Sequence, residues 1–99
     1  MKLPIDDFQK VFVSRIRLGS MSSLAVNDSL DFSSMKEYLD VTDGNLATHL
    51  KMLEKEELIG VEKSFINRKP NTKYFMTEKG KMAFTSHLKA LETFINSHK

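Results

Sequence analysis

The sequence predicts a mainly α domain that carries one small β-hairpin. Two patterns predict it. Apolar residues before residue 57 recur at helical spacing, and Leu46, Leu50 and Leu53 form the clearest buried stripe. Leu58 to Met76 is instead rich in β-formers and is broken once by turn residues. A second long helical pattern then closes the chain.

Taken in order, residues 5–27 read as helical. Phe8, Val11 and Phe12 form a first apolar group, and Ile16, Leu18, Met21, Leu24 and Ala25 form a second. The phase breaks across Val13-Ser14, which predicts a short helix, a kink and a main helix from about Ser14. Gly19 weakens that helix by about 1 kcal/mol relative to Ala, so close packing against another helix is expected there. Asn27-Asp28-Ser29 is a turn cluster. Leu30-Asp31-Phe32 alternates and is long enough only for one edge of a small sheet.

Ser33 or Ser34 is expected to start the next helix, because Ser34-Met35-Lys36-Glu37 matches a capping box. Met35, Tyr38 and Leu39 supply its apolar face, and it ends near Asp40. Thr42 then caps a helix that runs through Glu56. Leu58–Ile66 reads as a strand, Asn67–Asn71 as a turn and Thr72–Met76 as a second strand, with Tyr74 and Met76 inward and Phe75 partly exposed. Thr77 caps the last helix, and Glu78 suits its first turn. Along that helix Phe84, Leu88, Leu91 and Ile95 make a seam long enough to meet a second helix.

The 99 residues suffice for one domain, taken as 1–99, with a modest core. No apolar run approaches membrane-spanning length, and Met1–Asp7 lacks the apolar core of a signal peptide. The absence of Cys excludes disulfides and thiolate metal sites and fits a cytoplasmic protein. His49, His87 and His98 have no metal-ligand spacing, so neither metal nor cofactor is expected. No nucleophilic triad, phosphate loop or paired carboxylates suggest an enzyme. The net charge of +2 hints only weakly at a polyanionic partner, so the distribution of charge matters more.

Two helices separated by a few residues and followed by a hairpin make a winged helix-turn-helix. The segment Ser14–Leu91 resembles the winged-helix DNA-binding regulators of the MarR-like and ArsR-like kind, most closely a small single-domain subgroup. Ser14-Arg15-Ile16-Arg17-Leu18, Leu39 to Glu54 and Pro70 to Gly80 carry the resemblance. Two positions depart from the family pattern. Asp40 stands where the turn before the recognition helix usually has Gly, and Asp tolerates a left-handed backbone. Glu57 stands where Gly usually ends that helix. Glu would be strained there, so a differently built exit is expected.

The resemblance makes residues 42–56 the recognition helix and 62–76 the wing. Thr42, Asn45, Thr48 and His49 are the candidates for base or backbone contact, since short polar side chains and His suit a major groove. Gly44 permits close approach of backbone to phosphate. Lys51 is a candidate phosphate contact, and Lys55 is one too unless it pairs with its acidic neighbours. Asp43 is left out because its charge opposes phosphate. Arg68 and Lys69 at the hairpin tip, with Lys63 and Lys73 on its strands, form the densest basic cluster. Arg15 and Arg17 are assigned to a subunit interface or to internal ion pairs. The first and last helices imply a homodimer through Phe8, Val11, Phe12, Phe84, Leu88, Leu91 and Ile95, with palindromic double-stranded DNA as the partner. The other reading is a winged-helix module that binds protein, favoured by Phe75 and the modest charge.

Overall fold

The computed structural model describes Phe12 and residues 14–97. In chain order the elements are α1 (Arg15–Ala25), β1 (Leu30–Asp31), α2 (Phe32–Leu39), α3 (Asp43–Lys55), β2 (Ile59–Ile66), β3 (Lys69–Met76) and α4 (Glu78–Asn96). The antiparallel sheet has the order β1-β3-β2. This is a winged helix-turn-helix. The short helix expected before Ser14, with Phe8 and Val11, lies outside the described residues.

A side-chain oxygen caps the start of each helix by accepting an amide that has no intrahelical partner. Ser14 accepts from Arg17, Thr42 from Asn45 and Thr77 from Gly80. The cap of α2 is Asp31, not Ser33 or Ser34: its carboxylate accepts from the Ser34 amide at 2.7 Å. β1 pairs Asp31 opposite Lys73, which brings that carboxylate to the helix start. Hydrogen bonds from the Ser34 amide, then from its hydroxyl, hold the Asp31 carboxyl below the usual carboxylate range.

The core joins Phe12 of the N-terminal segment, Met21 and Leu24 of α1, Met35 of α2, and Leu46, Leu50 and Leu53 of α3. Leu58, Ile59 and Phe84 complete it. Tyr74 and Met76 pack against it from β3. Tyr38, expected inward, is exposed because α2 is short and buries only its Met35 edge. Gly19 meets α2 as expected: a Cβ there would lie 3.0 Å from Leu39 Cδ2. Phe12 packs edge-to-face on Phe84 with ring centroids 5.8 Å apart. Both residues therefore belong to the protomer's own core and not to an exposed seam.

Left-handed residues flank α3, one in the turn before it and one at its exit. Asp40 has φ 53° and Glu57 has φ 61°. After α3, the Glu57 amide donates to Glu54 O at 2.9 Å and the Leu58 amide to Leu53 O at 3.0 Å. These two bonds, with Leu53 and Leu58 both buried, make a Schellman motif. The exit from α3 thus keeps the geometry normally built with Gly, against the expectation from Glu57. The same joint starts α4. Thr77 Oγ1 donates to Glu57 O at 2.7 Å, and a Cβ on Gly80 would collide with the Leu58 carbonyl.

The wing turn is shorter than expected. Ile66 pairs with Lys69, so only Asn67 and Arg68 form the loop, with φ 52° and 67°. Two consecutive left-handed residues are the signature of a type I′ hairpin. Lys69, Pro70 and Asn71 belong to β3. Pro70 is tolerated there because β1 reaches only Lys73 and Tyr74, leaving Pro70 beside Phe65 alone.

Glu57→Gly relieves a left-handed side chain and should stabilise the fold by about 1 kcal/mol in urea unfolding. Asp40→Gly should gain less, because Asp accepts that conformation more readily. His87 is buried beside Phe12, with ring centroids 5.2 Å apart, and burial pushes its imidazole pKa down. Its folded pKa lies below the unfolded value of 6.5. The unfolded chain therefore binds this proton more readily, so the contribution is complete above about pH 6.5 and is lost as pH falls below it. His87→Phe should flatten that part of the stability–pH curve.

Candidate nucleic-acid interface

Burial of Leu46, Leu50 and Leu53, none more than 2% exposed, sets the rotation of α3 about its axis. Two stripes face outward as a result. Gly44, Thr48, Lys51 and Lys55 follow one another at i, i+4, i+7 and i+11, and all four are exposed. Asn45, His49 and Met52 form a second stripe on the flank toward α1. There Asn45 and Met52 are exposed and His49 is half-buried.

The chemistry each side chain offers depends on what it already bonds. Thr42 Oγ1 accepts from the Asn45 amide at 3.3 Å, which leaves its hydroxyl proton as a donor. Thr48 Oγ1 donates to Gly44 O at 2.8 Å, so Thr48 presents acceptor lone pairs and a methyl group. A Cβ at Gly44 would meet nothing within 4 Å, so the first turn is open to close approach. Lys51 stands with Ala47, Glu54 and Tyr74 round a shallow recess where α3 meets the sheet. Burial, and then the charge of Glu54, raise the Tyr74 phenol pKa, so it remains a neutral hydroxyl. No carboxylate among the described residues lies in ion-pair range of Lys55.

Two neighbours of α3 escaped the sequence. Lys36 of α2 reaches Asp43, with Nζ 2.7 Å from the carboxylate. The one acid at the front of α3 is thereby offset, and its charge still suits the helix N-terminus. Arg17 of α1 places a guanidinium nitrogen 3.0 Å from His49 Nδ1. Arg17 was expected at a subunit interface or in an ion pair. It lies 32 positions from His49, so no local pattern signals the contact.

The wing separates its cations by face. Val61 and Tyr74 are paired and face α3, so strand alternation puts Lys63 and Phe65 on that same side. Lys69 and Lys73 lie on the opposite side, with Phe75. Lys73 stands opposite both Asp31 and Glu62, which offset its charge. Arg68, exposed and left-handed at the tip, is free of either face. Of the basic cluster, Arg68 and Lys63 are therefore best placed to act with α3. On α4, Leu88 is 46% exposed and Ile95 60% exposed, with Leu91 half-buried between them. Among the described residues no group of His, Asp or Glu is arranged to hold a metal ion, and no helix is long and apolar enough to cross a membrane.

Comparison with known proteins bears on the family and the fold. A family model for a winged helix DNA-binding domain matches residues 16–95. An uncharacterized protein of Methanocaldococcus jannaschii is 35% identical over 79 residues, which are 80% of this chain and 86% of that protein. The solved structure of a transcriptional regulator homologue from Pyrococcus horikoshii OT3 superposes with a TM-score of 0.89 at 27% identity, over 100% of this chain and 99% of that one. A MarR-family transcriptional regulator from Silicibacter pomeroyi matches with a TM-score of 0.68 at 12% identity, over 89% of this chain and 58% of that one. The last is a likeness of fold alone.

Lys36 and Asp43 are both largely exposed, so their pairing should matter more for local charge than for folding. A double-mutant cycle of Lys36→Ala and Asp43→Ala in urea should return a coupling of about 0.5 kcal/mol that shrinks with added salt.

Proposed function

The chain belongs to the winged helix DNA-binding domain family, and from that premise we propose that it is a homodimeric, sequence-specific regulator of transcription. The observation that carries this reading is the rotation of α3. Its leucine edge is buried, and its outward side holds small polar groups, two lysines and an acid already offset by Lys36. In this reading the segment 42–56 enters the major groove of double-stranded DNA. Thr42, Asn45, Thr48 and His49 meet base edges or nearby backbone, while Gly44 and Lys51 approach phosphate. The wing, 62–76, lies over the flanking backbone or minor groove. Arg68 leads it with Lys63 on the face toward α3, and Lys69 and Lys73 contribute only from the opposite face.

The domain spans 1–99, and its first and last helices form the dimer. Exposed Leu88 and Ile95, with Leu91, supply the α4 side of that contact. Phe8 and Val11 are assigned to the other side, while Phe12 and Phe84 support the interface from the core beneath. A twofold axis sets the recognition helices about 34 Å apart, which fits a palindromic operator on one face of DNA. The role needs no cofactor and no catalytic step, and it places the protein in the cytoplasm. One observation favours the protein-binding alternative: Phe65 is 77% exposed and Ile66 51% exposed beside the wing turn.

A gel-shift titration with random duplex separates the two. Binding at about 50 mM salt that weakens steeply by about 200 mM supports the regulator. No binding at the lower salt sinks it in favour of the protein-binding module. Selection from random duplexes should then show His49→Ala changing base preference at a position within each half-site. Arg68→Ala should weaken binding to all sequences alike and lower the salt slope by about 1.

A further inference from the structure

We infer that Arg17 is a positioning residue for base recognition: it holds the His49 ring as a hydrogen-bond donor and so excludes cytosine from the base that His49 meets. The inference rests on the DNA-binding reading above. A guanidinium has N–H donors and no acceptor. At 3.0 Å, the Arg17 nitrogen therefore donates and His49 Nδ1 accepts. A neutral imidazole whose Nδ1 accepts carries its proton on Nε2. Nε2 has no protein partner among the described residues.

The ring is thus fixed from α1 in one tautomer and one plane. His49 lies one turn beyond Asn45 on the exposed flank of α3, where both side chains address the same neighbourhood. A fixed N–H selects among base edges. Guanine presents N7 and O6, adenine presents N7 and thymine presents O4, all acceptors in the major groove. Cytosine presents only its N4 amino donor there, which faces the Nε2–H donor to donor. Release from Arg17 lets the ring adopt the other tautomer, in which Nε2 accepts. Cytosine then becomes a partner. Arg17 touches no base in this scheme and works through His49 alone.

Two measurements on the full chain test this, both at about pH 8, where imidazoles are neutral. Two-bond 15N–1H correlation spectra of the free protein read the His49 tautomer directly. Wild type and Arg17→Lys, which keeps a donor, should show Nε2–H, whereas Arg17→Ala should show a mixture. Selection from random duplexes should give a wild-type motif depleted in cytosine at the position that His49→Ala makes degenerate. Arg17→Ala should admit cytosine there about tenfold more often, with the other positions unchanged, and Arg17→Lys should restore the exclusion. An Nδ1–H ring in wild type overturns the inference by itself, even if Arg17→Ala fails to fold. So does a wild-type motif that Arg17→Ala reproduces in full. A wild type that selects no sequence removes the DNA-binding reading and this inference with it, whatever the ring's tautomer.

Discussion

The interface depends first on the burial of one edge of α3. Leu46, Leu50 and Leu53 are at most 2% exposed, and each fully buried leucine is worth about 2 kcal/mol. Successive helix residues are turned by about 100°. Rotation by a single position would carry Ala47, Lys51 and Glu54 inward, and the desolvation of two charges forbids it. The core therefore aims the outward face as well as holding the helix. The polar groups on the outward side of α3 inherit their direction from three buried leucines.

The second constraint lies at the two joints of the helix-turn-helix. Asp40 and Glu57 both adopt left-handed backbone conformations without being glycine. The conformation costs about 1–2 kcal/mol in general. At Glu57 the cost is offset by two backbone hydrogen bonds and by burial of Leu53 and Leu58 together. The Thr77 hydroxyl and the bare backbone of Gly80 then lock α4 onto the same joint. The end of α3, the first strand of the wing and the start of α4 are one mechanical unit. α3 and α4 are thereby held at a set angle to each other.

Charge is managed locally, which is why a net charge of +2 says little. Lys36 offsets Asp43 at the front of α3. Asp31, which caps α2, draws on Lys73 across the β1–β3 ladder. Lys51, Lys55, Lys63 and Arg68 are among the cations of the described residues that have no carboxylate in ion-pair range. Lys51 and Lys55 share the outward side of α3, Lys63 faces that helix from the wing, and Arg68 leads the tip. A modest total thus still leaves several cations on the side of α3 that faces outward.

The order of elements, the leucine edge, the inward Tyr74 and Met76 and the caps Thr42 and Thr77 were all legible in the chain. Each is a local property, set by helical or strand periodicity or by a side chain three residues from its amide. Tertiary structure decided what depends on distant groups. Asp31 displaced Ser34 as the cap of α2 because β3 holds it at the sheet edge. Glu57 took a glycine's conformation because Leu53 and Leu58 had to be buried together. Phe84 joined Phe12 in the core, which periodicity could not distinguish from an exposed seam. The polar face of α3 was visible in the sequence as a set of residues. Thr42 and Thr48 make their bonds within the helix and its cap. What His49 and Asp43 offer depends instead on Arg17 and Lys36 from other helices, because an interaction already made determines the one that remains to be offered.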